Sequence, residues 1–252
     1  MVVLAHRVHP TLPLIVAGNR DEFHARPTRD AHWWPDKPDI LAGRDLTAGG
    51  TWLGLHRSGR FATVTNYRDA DQPSAKLESR GHLITGFLEG RLDPLAHLES
   101  VDGDRYAGFN LLVADGDRFA YQSNRGAGVR ELPPGIYAVA NATLDTPWPK
   151  VARIKAALQA LIDDDRVNET SLLDMLDDRE PARATEIDAG DLPFKRARAL
   201  SAPFVVMPDY GTRSSTVVVR DDTGRVRISE KRFGADGATN GRSDFSFETE
   251  PR

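Results

Sequence analysis

The chain has 252 residues, of which 40% are hydrophobic and 28% are charged, and its formal net charge at pH 7 is −4. This length suffices for one large domain with a substantial core or for two small ones. A slightly acidic chain gives no electrostatic reason to expect a nucleic-acid partner, since surfaces that follow phosphates are usually strongly basic. Because cysteine is absent, the chain as written excludes disulfides, thiolate metal sites and a cysteine nucleophile.

The apolar runs are all too short for a membrane-spanning helix, which needs roughly 20 residues. The opening residues MVVLAHRVHP also lack the charged start, longer apolar middle and small-residue cleavage site of a secretory signal. We therefore expect a cytoplasmic protein with no membrane span.

The first strands are predicted as hairpins. Residues 2–8 and 12–18 are short β-branched runs separated by three residues, a spacing that favours two paired strands. Residues 27–48, rich in Pro, Trp and Asp, are expected to form a loop. Residues 51–68 repeat the pattern of strand, turn and strand, with the turn at 57–59.

Helical spacing is found in two later segments. Between Ser79 and Leu98 apolar residues recur at intervals of three and four, which predicts helix interrupted near Gly90 and Pro94. Residues 148–178 have the same spacing on two apolar faces.

The rest of the chain predicts strands and one long connection. The polar segment at 177–193 is interpreted as a solvated connection in preference to a functional lid. Further strands are expected from the runs at 108–116, 117–124, 135–144, 202–207, 215–221, 224–233 and 244–249. Hairpins with helices clustered between them indicate an α+β domain with antiparallel sheets and argue against a doubly wound parallel sheet. With no internal repeat, no convincing linker and no dinucleotide or phosphate loop, we expect a single domain over 1–252.

Several blocks of the sequence resemble the NRDE family, also called the transport-and-Golgi-organization protein family. They follow the family's order and are AGNRDEFHARPT, ILAGRDLTAGGTWLGLHRSGRFATVTNYR, SRGHLITGFL, GFNLLVAD, YAVANATLDTPWPK and YGTRSSTVVVRD. That family is in turn similar to the N-terminal-nucleophile hydrolases, which include the bile-salt hydrolases and penicillin V acylase. The resemblance implies a four-layer αββα sandwich, in which two antiparallel sheets are flanked by helices.

In such hydrolases the first residue of the mature chain, usually Cys, Ser or Thr, attacks an amide carbonyl, and its α-amine accepts the side-chain proton. Family members commonly open with Met-Cys, whereas this chain reaches His9-Pro10 about two residues sooner. Two interpretations stay open: a natural chain carries an upstream Met-Cys, or the protein lacks the nucleophile and binds a ligand without cleaving it. Removal of Met1 would expose Val2, which has no attacking atom.

Four polar residues follow the second predicted strand: Asn19, Arg20, Asp21 and Glu22. If the first two strands form a tight hairpin, the end of the second returns beside the chain start, so this NRDE tetrad is expected next to residue 1. We favour a functional role over a structural ion-pair cluster, because buried charge is costly unless it is paired and functional sites retain such costs.

The resemblance to bile-salt hydrolases implies further site residues. Asn66 and Asn141 correspond to asparagines that stabilise the oxyanion at strand ends. Asp21 corresponds to the carboxylate that contacts the nucleophile and its amine, and Arg213 to a late arginine. The hydrolases place their early arginine before the asparagine, whereas here Arg20 follows Asn19.

The remaining candidates have strong structural alternatives. Thr51 follows two glycines, as at some self-cleaving junctions, although a glycine turn is the favoured interpretation. Trp33 and Trp34 are candidates for stacking a planar ligand or for pinning a loop onto the core, and Glu22 completes the ligand-binding set. The histidines lack the spacing of a helical metal site. We expect neither a metal nor another cofactor.

Three functions stay open. The first is hydrolysis or acyl transfer on a non-peptide amide or thioester, given an upstream cysteine. The second is binding or carrying of an amphipathic ligand such as haem, lipid or acyl-coenzyme A, since the resemblance to animal relatives implies roles in lipid or acyl-coenzyme A metabolism and in haem mobilisation. The third is an interaction protein whose cleft is vestigial. Each of the first two implies a small-molecule partner, and nothing in the sequence indicates an oligomeric state.

Overall fold

The computed structural model describes residues 1–68 and 77–250, and in that part of the chain thirteen strands and five α-helices are formed. The strands are, in chain order, β1 (Val2–His6), β2 (Leu14–Phe23), β3 (Thr28–Trp34), β4 (Lys37–Asp45), β5 (Leu53–His56), β6 (Phe61–Asn66), β7 (Phe109–Asp115), β8 (Arg118–Ser123), β9 (Arg130–Glu131), β10 (Gly135–Val139), β11 (Tyr210–Arg220), β12 (Arg225–Phe233) and β13 (Thr239–Glu248). The α-helices are α1 (Gly81–Glu89), α2 (Pro94–Glu99), α3 (Pro149–Asp163), α4 (Glu169–Leu176) and α5 (Phe194–Leu200).

The strands form two antiparallel sheets. The seven-stranded sheet takes β3 to β9 in chain order, so each of these strands pairs with the next one. The six-stranded sheet has the order β10-β1-β2-β11-β12-β13 and therefore combines strands from both ends of the chain.

Alternation along the strands gives each sheet two apolar faces. On β2, Leu14 and Val16 pack into the core between the sheets, whereas Ile15 and Ala17 pack into the cluster formed with α3 and α4. A third cluster, which includes Phe87 of α1, covers the outer face of the seven-stranded sheet. The result is the four-layer αββα sandwich that the family resemblance implied.

The NRDE tetrad lies within β2 because β2 is longer than β1. The two strands pair from His6 with Leu14 to Val2 with Gly18. β2 then continues to Phe23 along β11. Residues 19–22 are therefore the polar end of a strand, held on one side by β11 and lying beside the start of the chain on the other.

The two predicted helical segments are confirmed. The interruption near Gly90 and Pro94 separates α1 from α2. The carboxylate of Asp93 caps α2 by accepting hydrogen bonds from the backbone of Leu95 and Ala96. Residues 148–178 hold α3 and α4.

The expectation of a loop at 27–48 is wrong, since β3 and β4 occupy most of that segment and pair as a hairpin. Pro27 precedes β3, and Pro35 lies in the turn between the strands, where a missing N–H costs no ladder hydrogen bond. Pro38 is the second residue of β4, so all three prolines lie at or near strand ends and do not prevent the hairpin.

The strand expected at 202–207 is also absent. Phe204 and Val205 are buried, so the apolar run reports burial correctly, but its pairing is limited to an isolated bridge between Val206 and Gly211. Helix α5, which precedes this run, was not expected from the sequence.

Candidate functional site

A cleft of about 630 Å³ opens where β2 extends past β1. Met1 lines it, together with Trp52, which sequence reasoning did not select. Eight of the ten predicted site residues also line it: Asn19, Arg20, Asp21, Glu22, Thr51, Asn66, Asn141 and Arg213. The structure thus brings these eight predicted residues, which come from five separate segments of the chain, to one cavity.

The start of the chain is fastened to the tetrad by two backbone hydrogen bonds. The Met1 amine donates to the Asn19 carbonyl over 2.8 Å, and the Asn19 amide donates to the Met1 carbonyl over 2.9 Å. Burial of the Met1 amine lowers its pKa to about 6, against the opposing effect of the Asp21 charge and with a smaller contribution from Lys150. Near neutral pH this amine is therefore largely unprotonated and able to accept a proton.

The side chain of Asn19 is buried and fully engaged within the protein. Its Nδ2 donates to the carbonyls of Leu176 and Pro203, over 2.9 and 3.0 Å. Its Oδ1 accepts a hydrogen bond of 2.6 Å from the Ser215 hydroxyl. Asn19 therefore joins β2 to β11, to the end of α4 and to the segment before β11.

Asp21 provides the negative charge beside two buried amines. Its Oδ1 accepts a hydrogen bond of 2.6 Å from the Thr212 hydroxyl. Burial lowers the pKa of Lys150 to about 8, while Asp21 opposes that shift and Arg68 adds to it. The Lys150 ammonium also donates to the Leu200 carbonyl over 2.9 Å. Sequence reasoning missed Lys150, whose only signal is a lysine within an otherwise apolar helix start.

Arg20 lies on the other face of β2 with Glu22. Its side chain is only 10% exposed, and its Nη2 is 3.7 Å from the Glu22 carboxylate. Its buried Nη1 has no hydrogen-bond partner within residues 1–68 and 77–250. Burial lowers the pKa of Arg20, and the charges of Glu22 and Asp45 partly offset this effect. The guanidinium is therefore a cation held in the cleft wall with incomplete compensation.

Asn66 and Asn141, to which the family resemblance assigns the stabilisation of the oxyanion, lie next to each other although the strands beside them, β6 and β10, belong to different sheets. Asn66 ends β6 and is exposed in the cleft, and Asn141 follows β10. The Asn141 Nδ2 donates to the Asn66 carbonyl over 3.0 Å, and the Asn141 carbonyl accepts from the amide of Arg68 over 2.7 Å. The Asn141 side chain thus links the ends of β6 and β10 at the cleft wall.

Arg213 fastens the chain that leads from β2 to β3. Its Nη1 donates to the carbonyls of Phe23, His24 and Arg26, over 3.0, 3.0 and 3.3 Å. This guanidinium therefore shapes the rim of the cleft by holding a turn in place.

Thr51 is buried in a close contact between the β4–β5 connection and α1. Its hydroxyl donates to the Leu53 carbonyl over 3.0 Å. A Cβ at the preceding Gly50 would lie 2.7 Å from the backbone of Gly81, so this turn requires glycine for close backbone approach.

Neither Trp33 nor Trp34 lines the cleft. Trp34 is buried and its Nε1 donates to the Ala42 carbonyl over 3.0 Å. Trp33 packs edge-on against Phe247, with ring centroids 5.2 Å apart, and the Arg57 guanidinium lies over its ring, 4.1 Å from the centroid. Both rings therefore pack within the protein, as the structural alternative expected, but from strand β3 and not from a loop.

The part of the chain that the structure describes contains no cluster of three or more His, Cys, Asp and Glu side chains suited to hold a metal ion. None of the helices formed by residues 1–68 and 77–250 combines the length and the apolar character needed to cross a membrane.

Comparisons with known proteins agree with this architecture. Residues 1–235 match the family model described as Transport and Golgi organisation 2. The chain is 38% identical to the Homo sapiens Transport and Golgi organization protein 2 homolog over 239 residues, and 35% identical to the Mus musculus homolog over 238 residues, with 86% of each chain covered in both cases. Among solved structures, a variant of conjugated bile acid hydrolase from Clostridium perfringens aligns with a TM-score of 0.52 and 10% identity, covering 99% of this chain and 98% of the hydrolase. At that identity the likeness is one of fold.

Proposed function

The chain belongs to the Transport and Golgi organisation 2 family, and from this premise we propose that its cleft is an amide or thioester site of the N-terminal-nucleophile type. The reaction is hydrolysis or transfer of an acyl group from a small, non-peptide substrate. The attacking group is a cysteine joined directly ahead of Met1, which the chain as written lacks. The proposal keeps the cytoplasmic location expected from the sequence.

The observation that carries the proposal is the strand register around Met1. Val2 pairs with Gly18 on one side and with Val139 on the other. If both pairings are extended by two positions in the same register, the residue directly ahead of Met1 lies opposite Arg20 on one side and opposite Asn141 on the other. Residues directly opposite in an antiparallel ladder point to the same face, and Val2 and Val139 point into the core between the sheets. The added side chain would therefore enter the space between the sheets, beside Asn141.

The chemistry needs three further groups, which surround that position. The α-amine of the added cysteine would take the thiol proton, as in other nucleophiles activated by an adjacent base. Asp21 would hold that amine by its charge, as it acts on the Met1 amine here. The amide groups of Asn66 and Asn141 would donate to the oxygen that becomes negative when the thiolate attacks.

The test compares two N-terminally extended chains that differ in one atom group. One carries cysteine directly ahead of Met1 and the other carries alanine, with removal of the initiator methionine checked by mass spectrometry. Both are incubated with a panel of N-acyl amides and acyl thioesters, and acyl adducts and released products are measured. We expect an adduct and turnover with the cysteine chain alone, and a further loss when Asn141→Ala is added to it.

The second candidate is a carrier, a function that needs no nucleophile and is therefore compatible with the 252 residues as written. On this hypothesis the cleft holds an amphipathic ligand such as haem, lipid or acyl-coenzyme A without cleaving it. A folded cysteine-extended chain that forms no adduct and turns over no substrate, while the unextended chain binds haemin or an acyl-coenzyme A in a titration, would favour the carrier over the hydrolase.

A further inference from the structure

Charge in the cleft is mostly compensated within the protein. Arg26 donates to Asp45 over 2.6 Å. Arg44 forms a bidentate pair with Asp36, with distances of 2.6 and 2.8 Å. The guanidinium of Arg232 likewise donates to the Ser243 hydroxyl over 2.7 Å and lies 3.3 Å from Asp30. These cations of the cleft lining therefore have good acceptors of their own.

Arg20 differs from them in both burial and pairing. Its nearest carboxylate is that of Glu22, and the separation of 3.7 Å is longer than a hydrogen bond. The Glu22 carboxylate also interacts with two other groups: it lies 3.8 Å from the Arg26 guanidinium and accepts a hydrogen bond from the backbone amide of Phe23. With its side chain nine-tenths buried and Nη1 unpartnered in the described chain, Arg20 carries a charge that Glu22 satisfies only in part.

A buried guanidinium whose Nη1 has no hydrogen-bond partner in the described residues has one strong chemical preference. It presents five N–H donors in a fixed plane, which match the geometry of a carboxylate or a phosphate. Hydrogen bonds between ions of opposite charge are about twice as strong as neutral ones. An uncharged ligand would supply fewer acceptors and would add no negative charge to the partial compensation by Glu22.

We propose that Arg20 is the seat for an oxyanion, a carboxylate or a phosphate, carried by the small molecule that occupies this cleft. The inference deepens the proposed function, since it rests on the same cleft being a ligand site. Glu22 competes with the ligand for the guanidinium and is displaced when the anion binds. The cleft therefore selects acidic small molecules over neutral ones of the same shape.

The chain without cysteine is the right material for the test, because simple anions contain no amide or thioester bond and their binding is independent of catalysis. Acetate and inorganic phosphate are titrated into ¹⁵N-labelled protein, with acetamide as the neutral isostere of acetate. The Nε–Hε signal of Arg20 and the backbone amides of 19–22 report binding. The acetate and phosphate arms separate a carboxylate seat from a phosphate seat.

The variants have matched charges. Arg20→Gln and Arg44→Gln change the net charge equally, and both positions line the cleft. Arg44 forms a bidentate pair with Asp36, whereas Nη1 of Arg20 has no hydrogen-bond partner in the described residues. We expect Arg20→Gln to weaken oxyanion binding by about tenfold or more, and Arg44→Gln to change it by less than about twofold. Glu22→Gln removes the internal competitor while keeping Arg20. We therefore expect the affinity of this variant for the oxyanion to rise by about threefold or more.

Three results would overturn the inference. These are a titration of folded Arg20→Gln that matches the original chain, equal losses in Arg20→Gln and Arg44→Gln, and acetamide binding as tightly as acetate. An affinity in Glu22→Gln that is no higher than that of the original chain would exclude the competition with Glu22. Failure of the cysteine-extended chain to cleave an amide would leave each of these binding results unchanged.

Discussion

Met1 and Asn19 exchange a pair of backbone hydrogen bonds, with the Met1 amine and the Asn19 amide each donating to the other residue's carbonyl. This pair continues the β1–β2 ladder to the first residue of the chain. The NRDE tetrad and the chain start are therefore parts of one strand pairing, and the cleft forms where that pairing ends. The catalytic roles assigned to the lining residues remain predictions.

Asn19 is expected to be a structural support, whatever its role in chemistry. Asn19→Ala would leave two buried carbonyls and the Ser215 hydroxyl without their partner. Because each unsatisfied buried group costs about 1–3 kcal/mol, we expect the free energy of unfolding in urea to fall by about 3 kcal/mol or more.

The matched control is Asn141→Ala, which removes one amide hydrogen bond, to the Asn66 carbonyl at the cleft. Its cost is expected to stay near 1 kcal/mol, about the net value of an ordinary hydrogen bond. Equal costs for the two variants would show that the interior contacts of Asn19 contribute little.

Asp21 is predicted to hold up the pKa of the Met1 amine, which burial lowers to about 6. Asp21→Asn removes the attracting charge but keeps an oxygen that accepts from Thr212, so the amine pKa should fall further. An NMR pH titration with ¹³C-methionine, of which the chain has three, would follow the Met1 signal. Glu22→Gln is the control, because Glu22 is not among the groups that shift this amine. A pKa that is unchanged or higher in Asp21→Asn would exclude Asp21 as the countercharge.

Because Lys150 is buried, we expect the free energy of unfolding to increase as the pH rises from neutral to mildly alkaline. Burial lowers its pKa from 10.5 to about 8 in the folded state. Between these values the unfolded chain binds a proton that the folded chain has released, so the free energy of unfolding rises with pH over this window. The full rise is on the order of 3 kcal/mol for such a shift. Below about pH 8 the cost of burying the charge is present in full.

Lys150→Met is expected to remove this rise, which urea unfolding at a series of pH values would measure. Lys155→Met controls for the loss of a lysine from the same helix, since Lys155 is a partly exposed residue paired with Asp145. A rise of the same size in Lys150→Met would assign the effect to other groups.

Gly50 is expected to tolerate no side chain. In Gly50→Ala the new Cβ would lie 2.7 Å from the Gly81 carbonyl carbon and 2.9 Å from its Cα. Because these are backbone atoms, no side-chain rotation can relieve the overlap. We expect a loss of about 2 kcal/mol or more in thermal or urea unfolding, at the upper part of the range for overpacking.

Gly86 offers the comparison within α1, where a new Cβ would come no closer than 4.0 Å to His97. Gly86→Ala should raise stability by up to about 1 kcal/mol, the difference in helix propensity between the two residues. A Gly50→Ala variant as stable as Gly86→Ala would contradict the close approach of the β4–β5 connection to α1.

The parts of the fold that sequence reasoning predicted correctly are those set by local pattern. The first hairpin and the break near Gly90 and Pro94 depend on neighbours a few residues away. The hairpin at 27–48 was missed because the prolines near its strand ends give this segment a composition that is typical of a loop. The run at 202–207 was assigned as a strand because burial, which apolar residues report, is not the same as pairing.

The residues of the candidate site likewise fall into those that the sequence predicted and those that it did not. The tetrad was placed beside the chain start by the geometry of one hairpin, and Asn66, Asn141 and Arg213 came from the family resemblance. Lys150 and the hydroxyls of Thr212 and Ser215 were missed, since their partners at Asp21 and Asn19 are more than 100 residues away in the chain. No local pattern marks a lysine or a hydroxyl that becomes buried beside a distant carboxylate or amide.

The two sheets are completed at different times as the chain leaves the ribosome. The seven-stranded sheet needs only residues 28–131, whereas Asn19 must wait for Ser215, 196 residues later. At synthesis rates of 5–20 residues per second this delay is roughly 10–40 s. During that time the free edge of β2 is open to pairing with the wrong strand. The side of the cleft that β2 forms with β11 is therefore the last to acquire its strand pairing.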